Sequence, residues 1–207
     1  MFLILAVCAA AAAWAYAEIV RFTADKVTYK MSSPRQILLL GRAVVHSGTN
    51  IIRADKIQIA GKDLDEALCT GRVEILDQES GTVLRSQRVE YFQQNDYIRL
   101  LTEPVLESKG VVIRSGEMER YNALRLAFIQ GPSVIERSNV RVRCLQGRYE
   151  EDARIARVRG DVETEFNTDR TGPTGPDRVS GGEMILYMDK DRLILGRDVR
   201  GTVYFDE

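Results

Sequence analysis

The sequence predicts an all-β fold, an elongated rolled β-jellyroll or flattened sandwich of about twelve or more antiparallel strands. Three observations predict it. A doubled motif recurs six times, each half alternates with a period of two, and no 11-residue window after the amino-terminal apolar run carries a helical stripe.

The first half-motif reads apolar, polar, small, polar, charged, apolar. Its copies begin at Phe22 (FTADKV), Ile52 (IRADKI), Leu84 (LRSQRV), Ile113 (IRSGEM), Val142 (VRCLQG) and Val179 (VSGGEM), spaced 30, 32, 29, 29 and 37 residues apart. The second half centres on a glycine at Gly41, Gly71, Gly131, Gly160 and Gly196, with Thr102 in place of the third, 17 to 19 residues after the start of its own unit. Six tandem two-strand repeats follow, none able to bury its apolar face alone, so neighbours must stack.

In the second half-motif, apolar side chains share the parity of the glycine. Ile37, Leu39, Ala43 and Val45 do so in the first copy, and Ala67, Cys69, Val73 and Ile75 in the second, while Arg42, Arg72 and Glu74 take the opposite parity. That is the pattern of half-buried antiparallel strands. Phe128 and Val134 in the fourth copy, and Leu195 and Val199 in the sixth, fall on the wrong parity. The first half-motif instead changes phase internally: Ile52 and Ala54 share one parity, Ile57 and Ile59 the other. Such a flip predicts a bulge or sharp bend, here at Asp55-Lys56 and Gln87-Arg88. Turn signals separate the halves, among them Ser47-Gly48-Thr49-Asn50 and Gln78-Glu79-Ser80-Gly81, and residues 167–177 read as an inserted Gly/Pro loop.

Residues 2–17 form an apolar run ending Ala15-Tyr16-Ala17, the small-x-small pattern of a signal-peptidase site. Residues 1–17 are therefore expected to be a cleaved export signal and 18–207 the folded domain. No Lys or Arg precedes the run, and retention as an inner-membrane anchor is the alternative. The 29 basic and 30 acidic residues make a mixed, near-neutral surface, which argues against nucleic acid as a partner. Cys69 and Cys144 sit at small or apolar positions three repeats apart and read as buried thiols, with pairing between them left open.

A catalytic constellation is not visible. His46 is the single histidine, beside a turn and with no second metal ligand or nucleophile in reach of it in sequence. Asp25-Lys26 and Asp55-Lys56 suggest paired carboxylates, but Gln87 and Gly116 stand at the equivalent positions, which points to backbone geometry. The expectation is a non-enzyme without cofactor or metal. Arg53, Arg85, Arg114 and Arg143 recur in four consecutive repeats. They read either as an outward ladder that meets phosphate or an acidic partner, or as solvated charges that discourage aggregation.

With Ala24-Asp25-Lys26, Ala54-Asp55-Lys56 and the repeated glycines, residues 19–207 resemble the OstA-like (organic solvent tolerance A) family. That family includes the periplasmic bridge protein of lipopolysaccharide transport, its anchored inner-membrane partner and the amino-terminal domain of the outer-membrane receptor. The resemblance implies a curved jellyroll that shields the acyl chains of lipopolysaccharide or a related glycolipid in the periplasm. The face through Leu39, Val45, Cys69, Val73, Ile75, Leu100, Leu106, Ile129, Val158 and Val162 would then line a lipid trough. Related jellyrolls at the inner and outer membranes would pair with its edge strands, Val20 to Tyr29 and Gly196 to Phe205, neither of which contains proline. Lys26, Arg197 and Asp198 at those edges predict only weak self-association. The alternatives are the anchored partner of the same system and a structural envelope scaffold without lipid.

Overall fold

A computed structural model describes residues 21–30, 32–61, 63–166, 176–190 and 192–202, and its described residues form sixteen antiparallel strands in one continuous sheet. The strands are β1 (Arg21–Thr23), β2 (Lys26–Lys30), β3 (Gln36–Ser47), β4 (Asn50–Ala60), β5 (Glu66–Asp77), β6 (Val83–Phe92), β7 (Tyr97–Leu100) and β8 (Val105–Ser108). They continue as β9 (Val111–Arg114), β10 (Glu117–Tyr121), β11 (Leu126–Arg137), β12 (Val140–Glu150), β13 (Ile155–Phe166), β14 (Asp177–Tyr187), β15 (Arg192–Gly196) and β16 (Arg200–Thr202). No helix among the described residues is long and apolar enough to cross a membrane.

Every long strand bends once, and the bend divides the sheet into two facing layers. β2 pairs with the first half of β3 through Val27 and Leu39, whereas β1 pairs with its second half through Phe22 and Val45. The first layer thus runs from β2 to β15 and the second from β1 to β16, and one core cluster holds the side chains of both. This is the expected rolled jellyroll. β7 to β10 are the same architecture with the strand broken at its bend.

At each bend the register slips. Leu40 pairs with Lys56 and Ala43 with Ala54, so Gly41 and Arg42 together oppose Asp55 alone. Two residues on one side conserve parity and one on the other inverts it, which is why the glycine half-motif reads in phase and the first half-motif does not. The same slip separates Thr70 from Val73, Gln130 from Ser133 and Arg159 from Val162.

The sixth bend differs from its expected position. Gly196 pairs with Glu183 ahead of the bend, which falls instead on Arg197 and Asp198, at φ of 60° and 52°. The facing strand supplies the room: Gly181-Gly182 lacks both side chains, and the Gly182 N–H donates to the Arg197 carbonyl at 2.7 Å. With the bend shifted by one, Leu195 pairs with Met184 and joins the interior. Phe128 lies on the outer face, where its ring meets Tyr121 edge-on at 6.0 Å.

Candidate functional site

Continuous rungs of inward side chains run across both layers. One passes through Val27, Leu39, Ile57, Cys69, Val89, Leu100, Met118, Ile129, Gly147, Val158, Met184 and Leu195, directly paired from strand to strand. In the second layer Phe22, Val45, Ile52, Ile75, Leu84, Leu106, Ile113, Ile135 and Val142 form its counterpart. All ten residues expected to line the trough are buried in this common interior, with Val73 and Val162 beside the bends. Arg72 and Glu74 face outward and are ion-paired, Arg72 to Asp55 at 3.1 Å and Glu74 to Arg53 at 3.1 Å.

Buried side chains of both layers join in one core cluster. Between them, a void of about 30 Å³ lies beside Val45, Ile57, Ile59, Leu64 and Tyr91, room for a water molecule or two and not for an acyl chain. The interior is open instead at its amino-terminal end. Phe22, Val27 and Tyr29 belong to the inward rungs yet are 38%, 47% and 49% exposed, because among the described residues no strand follows β1 and β2 on that side.

Against this apolar background stands a polar cluster at the side of the sandwich opposite the bends. Arg120 takes an inward position between Ile98 and Ala127 and its side chain is fully buried. Its Nε donates to Glu151 Oε1 at 2.7 Å and its Nη2 to Asp77 Oδ2 at 3.1 Å, while Nη1 donates to Asn122 Oδ1. Thr82 Oγ1 lies 2.8 Å from Glu151 Oε2 and 3.0 Å from Ser108 Oγ. Arg120, Asn122 and Glu151 come from the first layer, and Asp77, Thr82 and Ser108 from the second. Burial disfavours the Arg120 charge, but Glu151 and Asp77 outweigh it and push the pKa up.

Nearby, the buried Tyr149 hydroxyl has no hydrogen-bond partner among the described residues, and burial with the Glu151 charge pushes its pKa up to about 12. Sequence reasoning missed this cluster, although Asp77 continues the inward parity of Val73 and Ile75 and Arg120 that of Met118.

The recurrent arginines face outward, and each already holds a carboxylate. Arg53 and Arg85 share Glu74 at 3.1 and 3.2 Å, Arg85 also meets Glu107 at 2.7 Å, Arg114 pairs with Glu136, and Arg143 reaches Glu165 at 3.1 Å. A charge-alternating ladder of this kind matches the solvated reading. The outer face of β11 to β15 carries a groove of about 670 Å³ lined by Phe128, Ile185 and Ile194 with Arg148, Arg157 and Arg159. Arg148 and Arg157 share Glu150, and Arg159 donates to Gln146 at 2.9 Å.

Cys69 and Cys144 are free and buried, their thiols pushed up by burial to about 12 and about 11. His46 is exposed beside its turn. Among the described residues no group of three or more His, Cys, Asp and Glu is placed to hold a metal ion.

No family model and no curated protein matches the chain in sequence. Among solved structures it is similar to LptH from Pseudomonas aeruginosa, described as the LptA-homologous periplasmic component of the lipopolysaccharide transport device. That similarity has a TM-score of 0.47 at 13% identity and covers 50% of this chain and 76% of that one.

Proposed function

We propose that this protein is a lipid-binding bridge of the cell envelope, holding the acyl chains of lipopolysaccharide or a related glycolipid between the two layers of the jellyroll. The observation that carries the reading is the run of apolar rungs along the whole stack, left uncovered at Phe22, Val27 and Tyr29. Each methylene taken from water contributes about 0.8 kcal/mol, so a short length of chain already gains several kcal/mol. Among the described residues, the edges at β1 with β2, and at β15 with β16, offer unpaired N–H and C=O groups to a related jellyroll at either membrane. Export to the periplasm belongs to this proposal; residues 1–17 and the carboxyl-edge residue Val203 lie outside the described residues.

A second reading, a structural scaffold without lipid, is favoured by the packing of the interior. Leu100, Cys69 and Leu106 are fully buried by protein alone. Native mass spectrometry of the exported protein, with photo-crosslinking from Leu100 and Val73, separates the two. Bound glycolipid and capture from those positions support the bridge. Lipid-free protein, or capture from Arg72 and Glu74 in their place, sinks it.

A further inference from the structure

We infer that Arg120, Glu151 and Asp77 form a latch that holds the side of the sandwich opposite the bends shut, and that an acyl ligand passes between the layers there when the latch opens. This rests on the lipid-binding reading. The bends cannot serve as the way in, because backbone crosses from layer to layer at each of them. At the opposite side no described strand crosses, and the side-chain bonds that join the layers include Arg120 to Asp77 at 3.1 Å, Glu151 to Thr82 at 2.8 Å, Arg125 to Glu79 at 2.7 Å and Arg154 to the Lys109 carbonyl at 3.3 Å.

The composition of the cluster favours a device over a staple. Three charged groups, Arg120, Glu151 and Asp77, have side chains 0%, 1% and 9% exposed, and Arg120 stands between the apolar Ile98 and Ala127 of its rung. Apolar side chains of similar volume hold two layers together at least as well, because buried charges give up their hydration. What charges add is a single well-defined closed pairing, lost as a unit when one member leaves. The neighbouring Tyr149 hydroxyl is buried without a partner among the described residues, a polar group left unsatisfied in the closed arrangement. Towards the amino-terminal end the same side has Leu64 and Tyr91 around the small void, together with Ser47, Asp65, Glu66 and Gln93.

The test uses the full chain and a nitrobenzoxadiazole-labelled diacyl phosphatidic acid delivered from phosphatidylcholine vesicles. Glu151→Gln keeps the shape of the cluster and removes its charge; Thr82→Val removes only the hydroxyl between the layers and serves if the first variant fails to fold. Both should raise amide exchange at the turns around 78–82 and 151–154 and load the probe faster, by about tenfold for E151Q, with the final amount bound unchanged. Asp55→Asn, on the bend side, should load like wild type. Increased exchange with wild-type loading rates overturns the inference and leaves the lipid-binding reading standing. If wild type and variants alike take up no probe, the lipid-binding reading falls and takes the inference with it.

Discussion

Asp55 stands over Gly71 at the second bend so closely that a Cβ on Gly71 would lie 2.6 Å from the Asp55 Cβ, nearer than real side chains approach. The Arg72 backbone N–H and guanidinium both bond the same carboxylate, at 3.2 and 3.1 Å, and hold it below the usual carboxylate range. The first bend repeats the arrangement with Asp25, Gly41 and Arg42. The recurring aspartates therefore close the bends, and the glycines make room for them.

Gly71→Ala should destabilise the fold by about 3 kcal/mol or more, combining a left-handed backbone with a clash. Gly81→Ala, at φ 71° but with nothing within 4 Å, should cost only about 1 kcal/mol. Urea denaturation measures both. Asp55→Gly should recover part of the loss in the Gly71→Ala background, since the fourth bend already places Gly116 against Gly131. Equal costs at positions 71 and 81 would refute the steric account.

Acid should weaken the side opposite the bends. Burial raises the Asp77 pKa, but hydrogen bonds from Ser80 and Arg120 and from the Ser80 and Glu79 backbones outweigh it, leaving the group below its usual 3.8. A carboxyl depressed in the folded state contributes stability that is complete above its unfolded value and lost as pH falls through the folded one. The urea midpoint should hardly change between neutrality and about pH 5, as far as this group is concerned, then fall below about pH 4. Asp77→Asn should flatten that acid limb while lowering the midpoint at neutral pH. An unchanged limb would assign the acid sensitivity elsewhere.

Cys69 and Cys144 should resist alkylation in the native state. Their thiols are buried and their pKa values are pushed up to about 12 and about 11, so almost no thiolate exists at neutral pH. Iodoacetamide followed by peptide mapping should leave both unmodified without denaturant and label both in concentrated urea. Rapid native labelling of Cys69 would mean that the layers separate often without help from any ligand.

The interior was legible because period two survives every bend in one half-motif and inverts in the other, so parity alone sorted Leu39, Cys69, Leu100 and Ile129 to one side. The position of the sixth bend was not. Room for a bend is shared by two facing strands, and there Gly181-Gly182 supplies it from the partner strand, so the local glycine at 196 marks the wrong residue. The polar cluster escaped for a related reason. Asp77, Thr82, Arg120 and Glu151 each sit at a strand end where polar residues are ordinary turn formers, and only the stacking of distant repeats brings them together.

The last prediction concerns the uncovered end. Val27 and Leu100 occupy the same inward rung, but Leu100 is fully buried whereas Val27 is 47% exposed. Leu100→Ala should cost about 2 to 5 kcal/mol, while Val27→Asp should change stability by no more than about 0.5 kcal/mol. An inward-pointing charge on an edge strand is nevertheless a strong deterrent to further pairing, because a strand added beyond β2 would bury it against its own apolar rung. The exposed Phe22 and Tyr29 lie on the same face and would share that surface. Sedimentation velocity over a range of concentrations should thus show weak, reversible self-association of the wild type and a monomer for V27D. A folded V27D protein that associates as the wild type does would show that contacts between molecules are made elsewhere, with the carboxyl edge at β15 and β16 the next place to look.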